Sequence, residues 1–179
     1  MLAAVVAAAS LAITAWGTYK GAQVADDQLS QSREQNERER RGQAERVTMW
    51  LDPTDVVVSN RSWDPVWVST YFSDKEHRND GSNKVVYVFW GVVPPCTATR
   101  APIDLVYSKA SSQAPEATEW RVEGLHFRTA EGQMWTRTRT GLLSDAPLPP
   151  ERVREQTLWD ALTTSDQVKH SALPDCRTP

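Results

Sequence analysis

The chain contains few of the residues from which disulfide frameworks, metal sites and catalytic centres are built. Only two cysteines, Cys96 and Cys176, occur in 179 residues, too few for a disulfide scaffold and too far apart for a zinc motif. The three histidines are scattered over distinct regions, and the sequence has neither a nucleophile-elbow motif nor a cysteine–histidine signature. We therefore predict that the protein is not an enzyme and that it uses no metal and no cofactor.

An excess of positive charge is also missing. The formal net charge is -3, which provides no global attraction to nucleic acid, and no nucleic-acid partner is expected. Arg128, Arg137 and Arg139 form a candidate basic stripe, for which pairing with acidic neighbours is the default prediction. The composition, 40% hydrophobic and 24% charged, is that of a globular protein. Its eight tryptophans suit either a core or a binding surface.

The N-terminal stretch lacks charged side chains, because none precedes Lys20 in MLAAVVAAASLAITAWGTYK. A helix over this stretch reaches roughly 28 Å at about 1.5 Å per residue, close to the ~30 Å of a bilayer core. A cleaved signal peptide and a buried soluble helix are weaker alternatives, since the stretch has no basic n-region and a polar segment follows it. We predict a transmembrane anchor at residues 1–20, with the lipid bilayer as a partner.

The orientation of this anchor follows from the charges at its two ends. Lysine and arginine follow the predicted span, and none precedes it. The positive-inside rule therefore predicts a single-pass protein of the cell membrane whose C-terminal domain lies in the cytoplasm. An extracytoplasmic domain is the alternative.

Residues 21–46 form a polar segment without an a/d heptad, so a coiled-coil dimer is not expected. The i,i+4 pairs of Glu34 with Arg38 and of Glu37 with Arg41 favour a helix. We predict a solvated helical stalk. The alternative is that its arginines contact lipid head groups or a partner.

Residues 47–143 carry short β-forming runs separated by turn residues. The fold class predicted from them is mainly β, an Ig-like, two-sheet antiparallel β-sandwich of about seven strands, preceded by the transmembrane helix and the stalk. KVVYVFWG is apolar on both faces and predicts a central strand. The runs are RVTMWL, VVVSN, PVWVSTYFS, KVVYVFWG, APIDLVYS, WRVEGLHFRTA and MWTRTRTG.

Residues 144–179 predict one short C-terminal helix and a flexible tail. Two prolines precede ERVREQTLWDALTT at residues 151–164, where Leu158 and Leu162 are four apart for docking on the domain. The remainder, SDQVKHSALPDCRTP, has no periodic apolar pattern.

Several stretches resemble a group of uncharacterised single-pass actinobacterial membrane proteins with a small C-terminal β-sandwich domain. The likeness covers residues 1–143 and depends on QAERVTMWLD, VVVSNRSWDPVWV, VVPPC and LHFRTAEGQMWTRTRTG. The turn TAEG at residues 129–132 departs from the aspartate-containing turn of that group. The resemblance implies the architecture and supplies no activity.

Aromatic residues beside the turn SNRSWDP are the candidate binding residues. If the valines on either side of Trp67 face the core, Trp67 and Tyr71 share the opposite face, either partly exposed or covered by the C-terminal helix. Trp63 lies in the turn itself and would act as a lid. Asn60 and Ser62 are expected to hydrogen-bond the turn backbone. Core packing is the simpler interpretation of the tryptophans.

The two cysteines have two alternative states. In an exported domain, Cys96 and Cys176 can form a disulfide that tethers the tail, whereas in a reducing cytoplasm both stay thiols. The histidines are predicted to lie at the surface. The leading hypothesis is a membrane-anchored, non-catalytic interaction module with an unknown protein partner. The alternative is a small-ligand domain, for a saccharide for example, that uses Trp63, Trp67 and Tyr71.

Overall fold

The computed structural model describes residues 2–74, 85–115, 119–145 and 161–176. The chain divides into two compact units, Met1–Gly42 and Gln43–Pro179. In chain order, the described helices, strands and 3-10 helices are α1 (Leu2–Glu45), β1 (Val47–Leu51), β2 (Asp55–Asn60), β3 (Val66–Asp74), β4 (Val85–Val93), β5 (Thr97–Pro102), α2 (Ile103–Gln113), β6 (Trp120–Arg128), β7 (Met134–Thr138), β8 (Leu143–Asp145), a 3-10 helix (Leu162–Thr164), β9 (Lys169–Ala172) and a second 3-10 helix (Pro174–Cys176).

The first unit is helical. It consists of most of α1, one continuous helix of 44 residues that includes the predicted anchor and nearly all of the predicted stalk. An exposed i,i+4 ion pair joins Arg38 to Glu34, with 3.2 Å between the charged atoms. The helical form predicted for residues 21–46 is therefore found in α1.

A membrane-spanning helix is not found. In the described part of the chain, no helix is both long enough and apolar enough to cross a bilayer, so the prediction of a transmembrane anchor at residues 1–20 is not supported. The apolar character of this stretch depends largely on alanine, whose methyl group buries little surface on transfer into hydrocarbon.

The second unit contains two antiparallel sheets, which confirms a mainly β fold of the sandwich type. One sheet has four strands in the order β1-β2-β5-β9, and the other has five in the order β4-β3-β6-β7-β8. About seven strands were predicted, and the described residues form nine. β8, β9 and most of β5 are absent from the predicted strands, since only Ala101 and Pro102 of β5 belong to a predicted run. β8 and β9 are short and have no alternation of buried and exposed side chains.

The core lies between the inner faces of the two sheets. β3 alternates along its length between buried and partly exposed side chains. Val66 and Val68 are buried in the core with Phe72, and Trp67 and Tyr71 lie on the opposite face, as the period-2 pattern predicts. The alternation of β3 therefore decides which aromatic residues are available at the surface.

β4 is an edge strand, not the central strand that KVVYVFWG predicts. It pairs with β3 on one side, and on the other side Gln113 Nε2 of α2 donates a hydrogen bond of 2.9 Å to the carbonyl oxygen of Tyr87. The first 3-10 helix also covers β4, since Ala161 and Thr163 lie against Gly91. One face of β4 buries Val86, Val88 and Trp90 in the core, and the other carries Tyr87 and Phe89 at partly exposed positions, so apolar residues on both faces do not require a central strand here.

The segment APIDLVYS, predicted as a strand, ends β5 at Pro102 and then forms α2. Pro102 is the N-cap residue of α2, where proline is tolerated because the first N–H groups of a helix have no partner within it. Val106 and Ala110 bury one face of α2, and Tyr107 meets Phe72 edge to face with ring centroids 5.4 Å apart. Burial at helical spacing therefore outweighs the short β-like run.

The C-terminal part of the chain contributes to the four-stranded sheet. Residues 169–172, predicted as part of a flexible tail, form β9 and pair antiparallel with residues 97–100 of β5. Most of the helix predicted at residues 151–164 lies outside the described residues, Leu158 included. Its described end is a 3-10 helix in which Leu162 is buried. The prediction of a flexible tail is wrong over β9. The strand could not be predicted because the exposed segment KHSA has no apolar pattern and pairs with a strand that is distant in sequence.

Candidate functional site

The candidate site is the side of the five-stranded sheet that faces away from the core. It carries aromatic side chains, whereas the solvent-facing side of an antiparallel sheet usually carries polar ones. We name it the outer face, and its members alternate with core residues along neighbouring strands. These members are Trp67, Ser69 and Tyr71 on β3, Tyr87 and Phe89 on β4, His126 and Arg128 on β6, and Met134 and Thr136 on β7. Most of them are partly exposed.

Trp67 and Arg128 make a cation–π contact on the outer face. The two residues are cross-strand partners on β3 and β6, and the guanidinium carbon of Arg128 lies 4.6 Å from the centroid of the Trp67 ring. At an exposed position such a contact contributes ~0.5–1 kcal/mol. Arg128 is exposed, so the contact presents a positive charge beside an apolar surface.

Tyr71 and Tyr87 face one another across β3 and β4, with ring centroids 6.2 Å apart. The Tyr71 ring lies over Gly124 of β6, where a Cβ atom would come within 2.8 Å of the ring. Burial raises the pKa of Tyr71, and the charges of Glu123 and Tyr87 raise it further. The Tyr71 hydroxyl therefore stays protonated at neutral pH and is able to donate a hydrogen bond.

His126 is the buried polar residue of the outer face, with 4% of its surface exposed. Its Nδ1 shares a hydrogen bond of 2.9 Å with Thr136 Oγ1, and its ring meets Tyr87 edge to face with centroids 6.3 Å apart. Among the described residues no partner reaches its Nε2 atom. Burial lowers the pKa of His126 to about 4, so the imidazole is neutral at pH 7. The prediction of a surface position for His126 is wrong.

The lowered pKa of His126 has a measurable effect on stability. In an unfolded chain a histidine has a pKa of ~6.5, so the unfolded state takes up a proton first as the pH falls, and the folded state loses stability from about pH 6.5 to about pH 4. We expect wild type to lose about 2–3 kcal/mol over this window relative to His126→Gln. Denaturant unfolding at several pH values measures the difference, because carboxylate titration affects both proteins equally. Parallel stability profiles would contradict the expectation.

The predicted binding residues are only partly brought together. Trp67 and Tyr71 share the outer face, whereas Trp63 is 53% exposed in the turn between β2 and β3. The predicted cysteine pair does come together, with the Sγ atom of Cys96 3.7 Å from the carbonyl oxygen of Cys176. Both cysteines are free thiols.

The turn after β2 has a structural role. Asn60 is fully buried. Its amide nitrogen donates to the carbonyl oxygens of Asp64 at 2.8 Å and of Val93 and Pro94 at 3.1 Å each. Its amide oxygen accepts hydrogen bonds from the backbone N–H and the hydroxyl of Ser62, over 3.0 and 2.6 Å. The prediction that Asn60 and Ser62 hydrogen-bond the turn backbone is confirmed.

The three arginines of the predicted basic stripe do not form one surface. Arg128 belongs to the outer face, Arg139 is exposed in the turn after β7, and Arg137 is partly buried. Nη2 of Arg137 donates to the carbonyl oxygens of Ala44 and Glu45, over 3.3 and 3.0 Å, at the C-terminus of α1. Burial lowers the pKa of Arg137, and the charge of Glu45 opposes this shift. Arg137 therefore supplies hydrogen bonds to carbonyls that have no partner within the helix.

Tyr87, Phe89 and His126 are not among the binding residues predicted from the sequence. In VVYVFW the positions of Tyr87 and Phe89 differ by two, which places both on the same face of a strand, and this alternation was the available signal. The side of β4 that faces the core depends on α2 and on the first 3-10 helix, which are distant in sequence.

Comparisons with known proteins add no assignment. No protein-family model, no curated protein and no solved structure matches the chain. The resemblance to single-pass actinobacterial membrane proteins therefore stays a prediction. Within the described segments, no group of three or more histidine, cysteine, aspartate or glutamate side chains is positioned to hold a metal ion.

Proposed function

We propose that the protein is a non-catalytic interaction module and that its outer face binds a partner protein. The observation that carries this proposal is the set of aromatic rings on two adjacent strands, Trp67 and Tyr71 beside Tyr87 and Phe89, at positions partly open to solvent. Protein interfaces are enriched in tryptophan, tyrosine, phenylalanine and arginine. Truncating such residues at the centre of an interface causes the largest losses of affinity.

The chemistry of the outer face indicates the kind of surface that the partner offers. Arg128 holds a guanidinium beside Trp67, so the partner is expected to place a carboxylate there. Apolar side chains of the partner would cover the rings of Tyr71 and Tyr87. These rings are partly buried on paired strands and therefore lose little conformational entropy on binding, which favours affinity.

A saccharide is the second class of ligand that aromatic residues bind, but the geometry favours it less. A sugar stacks on an open ring face, and Arg128 already lies over the ring of Trp67. Trp63 stands in a turn rather than on the sheet. The candidate residues Trp63, Trp67 and Tyr71 therefore do not form one continuous platform.

The test compares two tryptophan variants of the full-length protein. Trp67→Ala removes a central ring of the outer face, and we expect the affinity for a partner captured by cross-linking of wild type to fall by about 30-fold, as for a hot-spot residue worth ~2 kcal/mol. Trp50→Ala is the matched control, because Trp50 is 37% exposed on β1 of the other sheet. Calorimetric titration of the purified partner measures both affinities, and circular dichroism checks that both variants fold.

Three results distinguish the alternatives. A loss with Trp67→Ala but not with Trp50→Ala supports binding through the outer face. Equal affinities of wild type and Trp67→Ala, or equal losses in both variants, exclude the outer face as the binding surface. A tryptophan fluorescence change with a glycan that disappears in Trp67→Ala would replace the protein partner by a saccharide.

A further inference from the structure

Cys96 and Cys176 are 80 positions apart in the sequence and adjacent in the fold. Cys96 lies in the turn between β4 and β5, and Cys176 lies in the last 3-10 helix. The Sγ atom of Cys96 is 3.7 Å from the carbonyl oxygen of Cys176 and 3.9 Å from that of Ser62. The Sγ atom of Cys176 is 3.5 Å from the carbonyl oxygen of Arg61. Both thiols therefore lie against the same turn after β2.

The backbone around Cys96 holds the two cysteines together. Its N–H donates to the carbonyl oxygen of Ser62 over 3.3 Å, and its own carbonyl oxygen accepts from the N–H of Leu173 over 2.8 Å. The pairing of β9 with β5 places Ala172 opposite Thr97, the residue after Cys96.

The conformation of Cys96 is unusual for this residue type. Its φ is 53°, and it is the one non-glycine residue with a positive φ in the described part of the chain. Glycine adopts this left-handed region without steric cost, whereas a side chain with a Cβ atom is strained there. Strain of this kind is typical of positions whose side chain has a chemical role.

We propose that Cys96 and Cys176 are a redox-active pair that closes to a disulfide when the protein meets an oxidising disulfide such as oxidised glutathione. The Cys96 thiolate attacks one sulfur of the oxidant and releases the first thiol. The Cys176 thiolate then attacks the Cys96 sulfur of the mixed disulfide and releases the second thiol. The pair loses two protons and two electrons, and the oxidant is reduced to two thiols. This inference does not rest on the outer face.

Exposure determines the order of the two steps. Cys96 is partly exposed, whereas Cys176 has 6% of its surface exposed. Burial raises the pKa of Cys176 to about 11, helped by a hydrogen bond and a charge interaction with Cys96, while the charges of Arg61 and Arg46 act in the opposite direction. Cys96 is therefore the thiol that an external oxidant reaches first, while Cys176 keeps its proton. Once Cys96 is part of the mixed disulfide, its charge and its hydrogen bond no longer favour the protonated form of Cys176, and Cys176 gives up its proton as it attacks.

The disulfide would keep the C-terminal segment on the sheet. β9 is an edge strand whose four residues are all exposed, and strands with few buried contacts open at low free-energy cost. A bond from Cys96 to Cys176 would link the segment before β5 to the segment after β9, at the end of the pair where Thr97 lies opposite Ala172. In the oxidised protein β9 stays paired with β5, whereas in the reduced protein β9 can leave and expose the edge of β5 to another strand.

The test uses the full-length protein equilibrated with reduced or with oxidised glutathione. In oxidised buffer, intact-mass spectrometry should show the loss of two hydrogen atoms, and peptide mapping should join Cys96 to Cys176. The Tm should rise by about 10 °C, because cross-linking a long loop lowers the entropy of the unfolded chain. Amide hydrogen exchange at residues 169–172 should slow by at least about tenfold.

Cys176→Ser is the control, because it keeps the first thiol and removes the second. In this variant, oxidised glutathione should leave a mixed disulfide on Cys96, without the rise in Tm and without slower exchange in β9. Wild type that stays reduced, or that keeps glutathione on Cys96, would overturn the proposed pair. An internal disulfide that leaves exchange at residues 169–172 unchanged would overturn its effect on β9.

Discussion

Replacing Asn60 by aspartate is expected to lower the unfolding free energy by about 4 kcal/mol at pH 7, although the two side chains have nearly the same shape. The amide nitrogen donates to the carbonyl oxygens of Asp64, Val93 and Pro94. A carboxylate oxygen in its place would be a charged acceptor facing three other acceptors, in a residue with no exposed surface. The lost hydrogen bonds and the unsolvated charge both favour unfolding.

The pH dependence of the Asn60→Asp variant distinguishes this cause from a general loss of packing. Burial and the surrounding carbonyl oxygens raise the pKa of the new carboxyl group above the ~3.9 of an unfolded chain. The destabilisation should therefore be smallest below about pH 4, grow as the pH rises, and level off above the folded-state pKa. Denaturant unfolding of the variant and of wild type at pH 4 and pH 7 measures this difference.

Ser62→Ala is the matched control in the same turn. It removes the hydroxyl that donates to the amide oxygen of Asn60 and to the carbonyl oxygen of Asp64, and it should cost only ~1–2 kcal/mol, without a pH-dependent part. If Asn60→Asp lies within about 1 kcal/mol of wild type at pH 7, the three carbonyl contacts contribute less than their geometry indicates.

The features that could be predicted from the sequence are those that depend on local patterns. In β3, valines alternate with Trp67 and Tyr71, and a period of two is enough to place the two aromatic residues on one face. The turn after β2 could be predicted for the same reason, because Asn60 and Ser62 bond mainly to atoms within a few residues. These two segments include all three predicted binding residues, Trp63 in the turn and Trp67 and Tyr71 in β3.

The errors concern segments whose structure depends on distant parts of the chain. APIDLVYS is too short for its pattern to separate a strand from a helix, and packing of Tyr107 on Phe72 favours the helix. KVVYVFWG predicts a central strand, but β4 is an edge strand against which Gln113 and the first 3-10 helix lie. Neither of these two contacts can be predicted from the sequence of the strand alone.

His126 shows why the candidate site could be predicted only in part. The alternation in WRVEGLHFRTA correctly places His126 on the face opposite Leu125 and Phe127. Its burial, however, depends on neighbours from other strands, such as Tyr87 on β4 and Thr136 on β7. A surface histidine and a buried one have the same local pattern, so the pairing of the strands decides the pKa.

The strands β3, β6 and β7 approach one another closely at Gly124, and the position of the Tyr71 ring on the outer face depends on this approach. Gly124 of β6 lies directly opposite Tyr71 on β3 and Thr138 on β7. Because glycine has no Cβ atom, the Tyr71 ring has room beside the backbone of β6 at this point, where its centroid is 6.2 Å from that of Tyr87. The aromatic character of the outer face therefore depends on a residue that has no side chain.

Replacing Gly124 by alanine is expected to destabilise the protein by about 4 kcal/mol, more than the ~1–3 kcal/mol typical of side-chain crowding. The added Cβ atom would overlap the backbone carbonyl oxygen of Arg137 and come within 2.8 Å of the Tyr71 ring. The ring can move, but β7 cannot shift without straining its hydrogen bonds to β6 and the bonds from Arg137 to the end of α1. Denaturant unfolding of the variant and of wild type measures the loss.

A double-mutant cycle with Tyr71 separates the two overlaps at Gly124. Tyr71→Ala in the Gly124→Ala background removes the ring and leaves the Arg137 carbonyl oxygen, so it should restore less than about 1 kcal/mol. Gly42→Ala is the control, because a Cβ atom there meets nothing within 4 Å and alanine favours a helix by ~1 kcal/mol over glycine. Full rescue by Tyr71→Ala would mean that the ring alone fills the space. Unchanged stability of Gly124→Ala would mean that β6 and β7 separate without cost, and either result would contradict a role for Gly124 in setting the distance between these strands.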